Sequence, residues 1–451
     1  MNTHKILSNA GYTERHDYGQ IAREAARLVK SRAMSKDELL AAIRSKFGEP
    51  PHRQKMLDSP QPFVMFGTPG VDFEYEAIEQ MKRVLSIPVS INGAMMPDAH
   101  VGYGMPIGGV AALDNAVSPG FVGYDIACRM TLTILDIEPD DFMPHREQIA
   151  HEMQAVSSFG KGSGFAGNER RTHPVMDDPL WRELNHVKQY HSLAWQQLGS
   201  SGGGNHFFDA VIGEVIEEAG WLPLNVGDQF VAIITHSGSR GTGHKLATHY
   251  VKLAQNETRR IAQGVPSGYE WLDASTDAGR EYLKVMDLMG RYAQANHHLI
   301  HQHFLKRSNL GKLAQYENHH NFAWVQPDGK IIHRKGATPA SKGLVGIIPG
   351  TSGTPSYIVE GLGNKESLES SSHGAGRPFS RTEAKRRHDA EFVKSWMKEQ
   401  DILSFGLAPD ETLLAYKDID HVMSLQTDLV RLVARMWPKV VIMGGQSDDG
   451  D

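Results

Sequence analysis

Apolar positions in the first 60 residues recur at helical spacing, most clearly in Ile21-Ala22-Arg23-Glu24-Ala25-Ala26-Arg27-Leu28-Val29. Ser35-Lys36-Asp37-Glu38 has the form of a capping box, so a second helix is expected to begin near Ser35. Residues 48–61, rich in proline and charge, read as a connection. From about residue 88 the texture changes to short apolar runs separated by glycine. Val110 to Leu113, Met130 to Leu135, Phe230 to Ile234 and Gly346 to Ile348 are expected to be buried strands. Long helical patterns occupy 243–262 and 278–306, and residues 446–451 form a short polar tail. Strands interleaved with long helices predict a mixed α/β (α+β) fold.

Composition narrows the class. A chain of 451 residues allows two or three domains or one large one, and 40% hydrophobic with 22% charged residues is a globular balance. No run of about 18 apolar residues occurs, so no membrane span is expected, and the N-terminus lacks the pattern of a secretory signal. The single cysteine, Cys128, excludes an intrachain disulfide and suits a cytoplasmic protein. A net charge of −6 confines any nucleic-acid surface to a local basic patch.

The glycines gather in clusters beside His, Asp, Asn or Arg, where backbone amides can line a phosphate. Of the 23 histidines, the informative ones lie next to such clusters: His100, His206, His236, His320 and His373. Asp125 and Cys128 join them in Gly123-Tyr124-Asp125-Ile126-Ala127-Cys128. A thiolate, a carboxylate and several imidazoles suit Zn, Mn, Fe or Co, and imidazole with carboxylate fits manganese. A thiolate can bridge two metals, although a free cysteine is most often a small buried hydrophobe. His297, His298, His301 and His303 share one expected helix at a spacing that could hold a metal, but no carboxylate joins them and they read as part of a half-exposed helix. Arg240 follows His236 by four residues and Arg377 follows His373 by four. Ser380-Arg381-Thr382-Glu383 should start a helix whose N-terminus and basic face turn toward the glycine loop, a phosphate-binding geometry.

Seven motifs then resemble, in order, those of RtcB-type RNA-splicing ligases. They are Pro97-Asp98-Ala99-His100-Val101-Gly102-Tyr103-Gly104-Met105-Pro106-Ile107-Gly108-Gly109, Gly123 to Cys128, Gly204-Asn205-His206-Phe207, His236-Ser237-Gly238-Ser239-Arg240-Gly241, His333 to Thr338, Pro349-Gly350-Thr351-Ser352-Gly353 with Ser356-Tyr357, and Ser372-His373-Gly374-Ala375-Gly376-Arg377. The resemblance runs from about residue 90 to the C-terminus. It implies one large catalytic domain (61–445), with glycine-rich loops around a dinuclear metal centre, behind a helical N-terminal extension (1–60).

Carried residue by residue, the resemblance places one Mn²⁺ on Asp125, Cys128 and His206 and a second on Cys128, His236 and His320. His373 would take GMP from GTP. Asn205, His206, Phe207, Phe208, Asp209, His320, Asn321, Pro349, Gly350, Thr351, Ser352, Ser356, Gly374, Ala375, Gly376 and Met443 would surround the nucleotide, and Arg240, Lys335, Arg377 and Arg381 would meet phosphates. The implied reaction joins 2′,3′-cyclic phosphate or 3′-phosphate RNA ends to 5′-hydroxyl ends. RNA, as tRNA halves or broken ends, is the implied partner, and an archease-type activator comes into view with it. Three residues depart from the family pattern. Met443 stands in place of a guanine-reading lysine, Asp209 in place of glutamate, and Arg129 follows Cys128 where glycine is common. A manganese-dependent phosphodiesterase or phosphatase of the same fold is the alternative, and it would not need His373.

Overall fold

The apolar runs become inner strands of two sheets. The structure, a computed structural model, describes residues 2–12, 17–31, 34–49, 53–160, 162–378, 383, 386, 390–411 and 415–444. An eight-stranded sheet takes the order Gly311–His319, Arg129–Asp136, Gln229–Ser237, Phe207–Val215, Val430–Met443, Ser356–Gly361, Val345–Ile348, with Leu403–Phe405 paired beside Val430–Met443. A five-stranded sheet runs Asn321–Val325, Lys330–Lys335, Ile107–Asp114, Ser90–His100, Phe63–Met65. His320 alone separates Gly311–His319 from Asn321–Val325, so the two sheets meet at that residue.

The central strands are apolar on both faces because both faces are covered. Met130, Leu132, Ile234, Ile358 and Met436 pack on one side, and Phe208, Val231, Ile233, Phe142 and Phe304 on the other. The expected long helices are Arg240–Ile261 and Asp277–Ser308. The second is half-exposed, as expected: His298 and His303 are exposed, while His297 and His301 are buried. The helix lies on the sheet, where Thr133 and Thr235 satisfy both rings, so these imidazoles behave as core groups.

Helices Thr3–Asn9, Tyr18–Ser31 and Lys36–Phe47 enclose their own apolar cluster of Leu7, Tyr12, Ile21, Ala25, Leu39, Leu40 and Ile43. The Ser35/Glu38 capping box is reciprocal, as its sequence predicts. Gln54–Lys55 then pairs in parallel with Ala262–Gln263, tying the chain to the larger body. The helix expected from Ser380 and the 446–451 tail lie outside the described residues. Among the described residues no helix is long and apolar enough to cross a membrane.

Candidate active site

Strand register assembles the site. Cys128 precedes Arg129–Asp136, His206 precedes Phe207–Val215, and His236 is the penultimate residue of Gln229–Ser237. Met130 and Phe207 both face His236, while Arg129 faces both Ser237 and His319, so these residues share one end of the sheet. The His320 amide donates to the Cys128 carbonyl at 3.0 Å, and the Ala127 amide to the Asn321 carbonyl at 2.8 Å. Ala127 sits at φ 57°, a left-handed conformation that costs a non-glycine residue energy and turns Asp125 and Cys128 toward the same point.

Cys128 Sγ lies 3.1 Å from His236 Nε2 and 3.5 Å from His206 Nε2. His206 Nε2 is 3.1 Å from Asp125 Oδ2, and His236 Nε2 is 3.3 Å from His320 Nε2. Two donor groups result, Asp125/Cys128/His206 and Cys128/His236/His320, overlapping at the thiol. The backbone dictates the tautomers. His206 Nδ1 meets the Ser201 carbonyl at 2.9 Å and His236 Nδ1 the Asn205 carbonyl at 3.2 Å. A carbonyl only accepts, so each ring carries a proton on Nδ1 and points Nε2 inward. Burial pushes His236 down to about 3 and His320 well below the usual imidazole range, which keeps both neutral. Imidazole nitrogens thus converge with a carboxylate and a thiol. This donor set fits a borderline divalent metal.

Glycines make room for the arrangement. A Cβ on Gly238 would fall 2.0 Å from Asp125 Oδ1. Gly238→Ala is therefore expected to displace that carboxylate and weaken metal binding at the Asp125 group by about tenfold or more, leaving the His320 group intact. Metal titration of the variant checks this.

His373 follows strand Ser370–Ser372, with its ring centroid 4.8 Å from that of His320. Its Nδ1 is 2.7 Å from Asp98 Oδ2, which also accepts the His373 and Gly374 amides at 3.1 and 3.3 Å. Burial opposes ionisation of Asp98, but the hydrogen bond and charge of His373, with the charge of Lys417, hold its carboxyl below the ordinary range. Lys417 Nζ in turn donates to the carbonyls of Asp72, Pro97 and Ala99, and its amide donates to Gly376. Sequence reasoning assigned neither residue a role. Asp98 sits in a motif whose histidine draws attention first, and Lys417 lies in no motif. His100 rests its Nδ1 on the Asp98 carbonyl at 2.9 Å, and burial pushes it down to about 4.

A family profile described as tRNA-splicing ligase RtcB matches residues 80–444. The chain belongs to the RtcB ligase family. It is 31% identical to RNA-splicing ligase RtcB of Escherichia coli (strain K12), over 84% of this chain and 97% of the relative. It is 29% identical to tRNA-splicing ligase RtcB of Thermococcus kodakarensis, over 82% and 93%, and 28% identical to that of Methanococcus maripaludis, over 83% and 92%. The three N-terminal helices lie outside the RtcB match.

The remaining residues implied by the RtcB resemblance fall into three sets. Around the nucleophile, Gly374 stands against the Pro349 carbonyl, Ala375 is buried, and a Cβ on Gly376 would fall 2.2 Å from the Asp98 carbonyl. The Gly350 amide donates to Ser356 Oγ, the Thr351 amide to Thr354 Oγ1, and Ser352 Oγ to the Glu411 carbonyl. Asn321 accepts the Gly336 amide and donates to the Asp125 carbonyl.

On the sheet, Phe207 packs against His236 and shares an apolar cluster with Met443 and Trp396. Asp209 lies on the same face, buried, with Oδ1 lacking a hydrogen-bond partner among the described residues, and burial raises its carboxyl well above the ordinary range. Phe208 points to the opposite face, against Phe304.

Among the cations, Arg240 begins its helix at φ 59° and bonds Ser200 Oγ, Ser163 Oγ and the Gly160 carbonyl. Lys335 donates to the Tyr103 carbonyl. Arg377 pairs with Glu411 at 2.6 Å, bonds the Asp410 carbonyl and stacks on Tyr416. Arg381 lies outside the described residues. Arg129 directs its guanidinium to the Gly290 carbonyl, on the helix side of the sheet.

Proposed function

We propose that the chain is a GTP- and manganese-dependent RNA ligase. It takes GMP onto His373 and joins RNA ends bearing a 2′,3′-cyclic phosphate or 3′-phosphate to 5′-hydroxyl ends. The observation that carries this reading is the Asp98–His373 pair set beside the two overlapping donor groups.

Donating its Nδ1–H to the Asp98 carboxylate, the neutral form of His373 presents the Nε2 lone pair as nucleophile. Nε2 attacks the α-phosphorus of GTP, an N–P bond forms and pyrophosphate leaves. Asp98 offsets the positive charge that the ring gains. Water first opens a 2′,3′-cyclic phosphate to a 2′-hydroxyl and a 3′-phosphate. An oxygen of the RNA 3′-phosphate then attacks the GMP phosphorus, and the N–P electron pair returns to Nε2. The 5′-hydroxyl attacks the activated 3′-phosphate, and GMP departs as the strand closes. Manganese at Asp125/Cys128/His206 and Cys128/His236/His320 would supply positive charge against the phosphoryl oxygens.

Base choice is less strict than a guanine-reading lysine would make it, because Met443 donates no hydrogen bond. The test is intact-protein mass after incubation with Mn²⁺ and either GTP or ATP, for wild type and His373→Ala, with an archease-type activator added in parallel. A GMP adduct confined to wild type is expected. An AMP adduct of equal yield would replace GTP by a broader nucleotide requirement. No adduct with either nucleotide, in protein holding manganese and activator, overturns ligation in favour of a phosphodiesterase of the same fold.

A further inference from the structure

The buried imidazoles behind the sheet take no part in the chemistry above, yet their hydrogen bonds have a determined direction. His297 Nε2 lies 3.1 Å from the Ser237 carbonyl, which only accepts, so Nε2 carries a proton. Burial and the nearby Arg129 keep the ring neutral, so Nδ1 is bare and accepts the Thr235 hydroxyl proton at 2.6 Å. Thr235 has no second proton. Its 2.8 Å contact with His301 Nε2 therefore has His301 donating. His301, also neutral and buried, then has a bare Nδ1 that accepts the Thr133 hydroxyl at 2.7 Å. Each hydroxyl and ring has a single consistent role, running from Thr133 through His301, Thr235 and His297 to Ser237.

The chain ends where the two donor groups are linked. Ser237 follows His236, and its hydroxyl donates to the Ser201 carbonyl at 2.7 Å. That same carbonyl accepts the Nδ1 proton of His206 at 2.9 Å. One helical position away, Asn296 donates to the Gly238 carbonyl at 3.1 Å and accepts the Gly199 amide at 2.8 Å. Helix Asp277–Ser308 thus grips both segments that carry inward-facing imidazoles. An interior that needed only filling would take apolar residues there, since a buried polar network is stable only when every member is satisfied.

We infer that Thr133, His301, Thr235 and His297 are positioning residues, a one-way hydrogen-bond chain that fixes Ser237 and so aims His236 and His206 at the metal. This rests on the metal reading of the centre.

The experiment compares the full-length wild type with Thr235→Val, His297→Leu and His297→Gln. Thr235→Val removes one hydroxyl at nearly constant shape. Gln keeps an N–H in place of Nε2–H, and Leu keeps only bulk. Mn²⁺ affinity is measured by chelator competition, the ligand-field absorption of bound Co²⁺ is recorded, and thermal unfolding checks the fold. Thr235→Val and His297→Leu are expected to lower Mn²⁺ affinity about tenfold or more and to alter the Co²⁺ bands, while His297→Gln stays within a few-fold of wild type. Folded Thr235→Val with wild-type affinity and spectrum overturns the proposal, even where His297→Leu does not fold. A wild type that binds neither ion overturns the metal reading instead. In that case ¹⁵N NMR of the metal-free protein decides the chain: Nε2–H tautomers on both His297 and His301 support it, and Nδ1–H on either overturns its direction.

Discussion

Asp98→Asn is expected to slow GMP transfer to His373 by about 10²- to 10⁴-fold while leaving metal content unchanged. Asp98 Oδ2 accepts three protons, from His373 Nδ1 and from the His373 and Gly374 amides, and the side chain is fully buried. An asparagine has two ways to sit there. With its oxygen toward the three donors, geometry survives, but the negative charge that offsets the developing imidazolium is gone. Its NH₂ also takes the place of Oδ1, which has no hydrogen-bond partner among the described residues. Flipped, the NH₂ confronts two backbone amides and presses His373 into the other tautomer, with the proton on the attacking Nε2. Single-turnover adduct formation followed by intact mass reads the rate, and metal analysis of the same sample shows that the donor groups are untouched. A variant with wild-type adduct kinetics would remove Asp98 from the mechanism.

Asp98 also marks the limit of what the chain discloses before folding. The donor residues are legible because their loops carry local constraints. Gly238 must lack a side chain to admit the Asp125 carboxylate, and Gly376 must approach the Asp98 carbonyl, so glycine and chemistry travel together in short motifs. The strands are legible because burial on both faces leaves continuous apolar runs. Partnerships across long sequence separations leave no such trace. Asp98 meets His373 across 275 positions, and Lys417 reaches back 320 to Pro97.

That His297 and His301 are the histidines of the half-exposed helix that face inward is a different matter. The helical period was correct, but a histidine scores as polar unless Thr235 and Thr133, 62 and 168 positions away, are known to satisfy it. Motif adjacency misleads in turn for Phe207-Phe208-Asp209, because strand alternation sends Phe208 to the other face of the sheet. Arg377, read as a phosphate ligand from its place beside His373, is held in this conformation by Glu411, a residue outside its motif.

Cys128→Ser is expected to reduce metal affinity at both donor groups by about 10²-fold or more, whereas His320→Ala should affect one group only. The thiol is the one side chain common to Asp125/Cys128/His206 and Cys128/His236/His320. Without it each group keeps two donors, and a serine hydroxyl, un-ionised at neutral pH and on a shorter bond, is a poor replacement for a thiolate. Chelator competition and metal analysis after dialysis give the stoichiometry. Thermal unfolding separates this from simple damage to the core. Serine is close in volume to cysteine, so the metal-free variant should unfold within about 1–2 kcal/mol of metal-free wild type. Added Mn²⁺ should then raise the midpoint of wild type strongly and that of the variant little, because only an ion that binds the folded state stabilises it. Loss of a single ion in Cys128→Ser would mean that the thiol serves one metal and that the two donor groups act separately. Loss of both ties them into one centre, and makes the fate of this lone cysteine the most direct measure of whether the His373 nucleophile works beside a paired metal site.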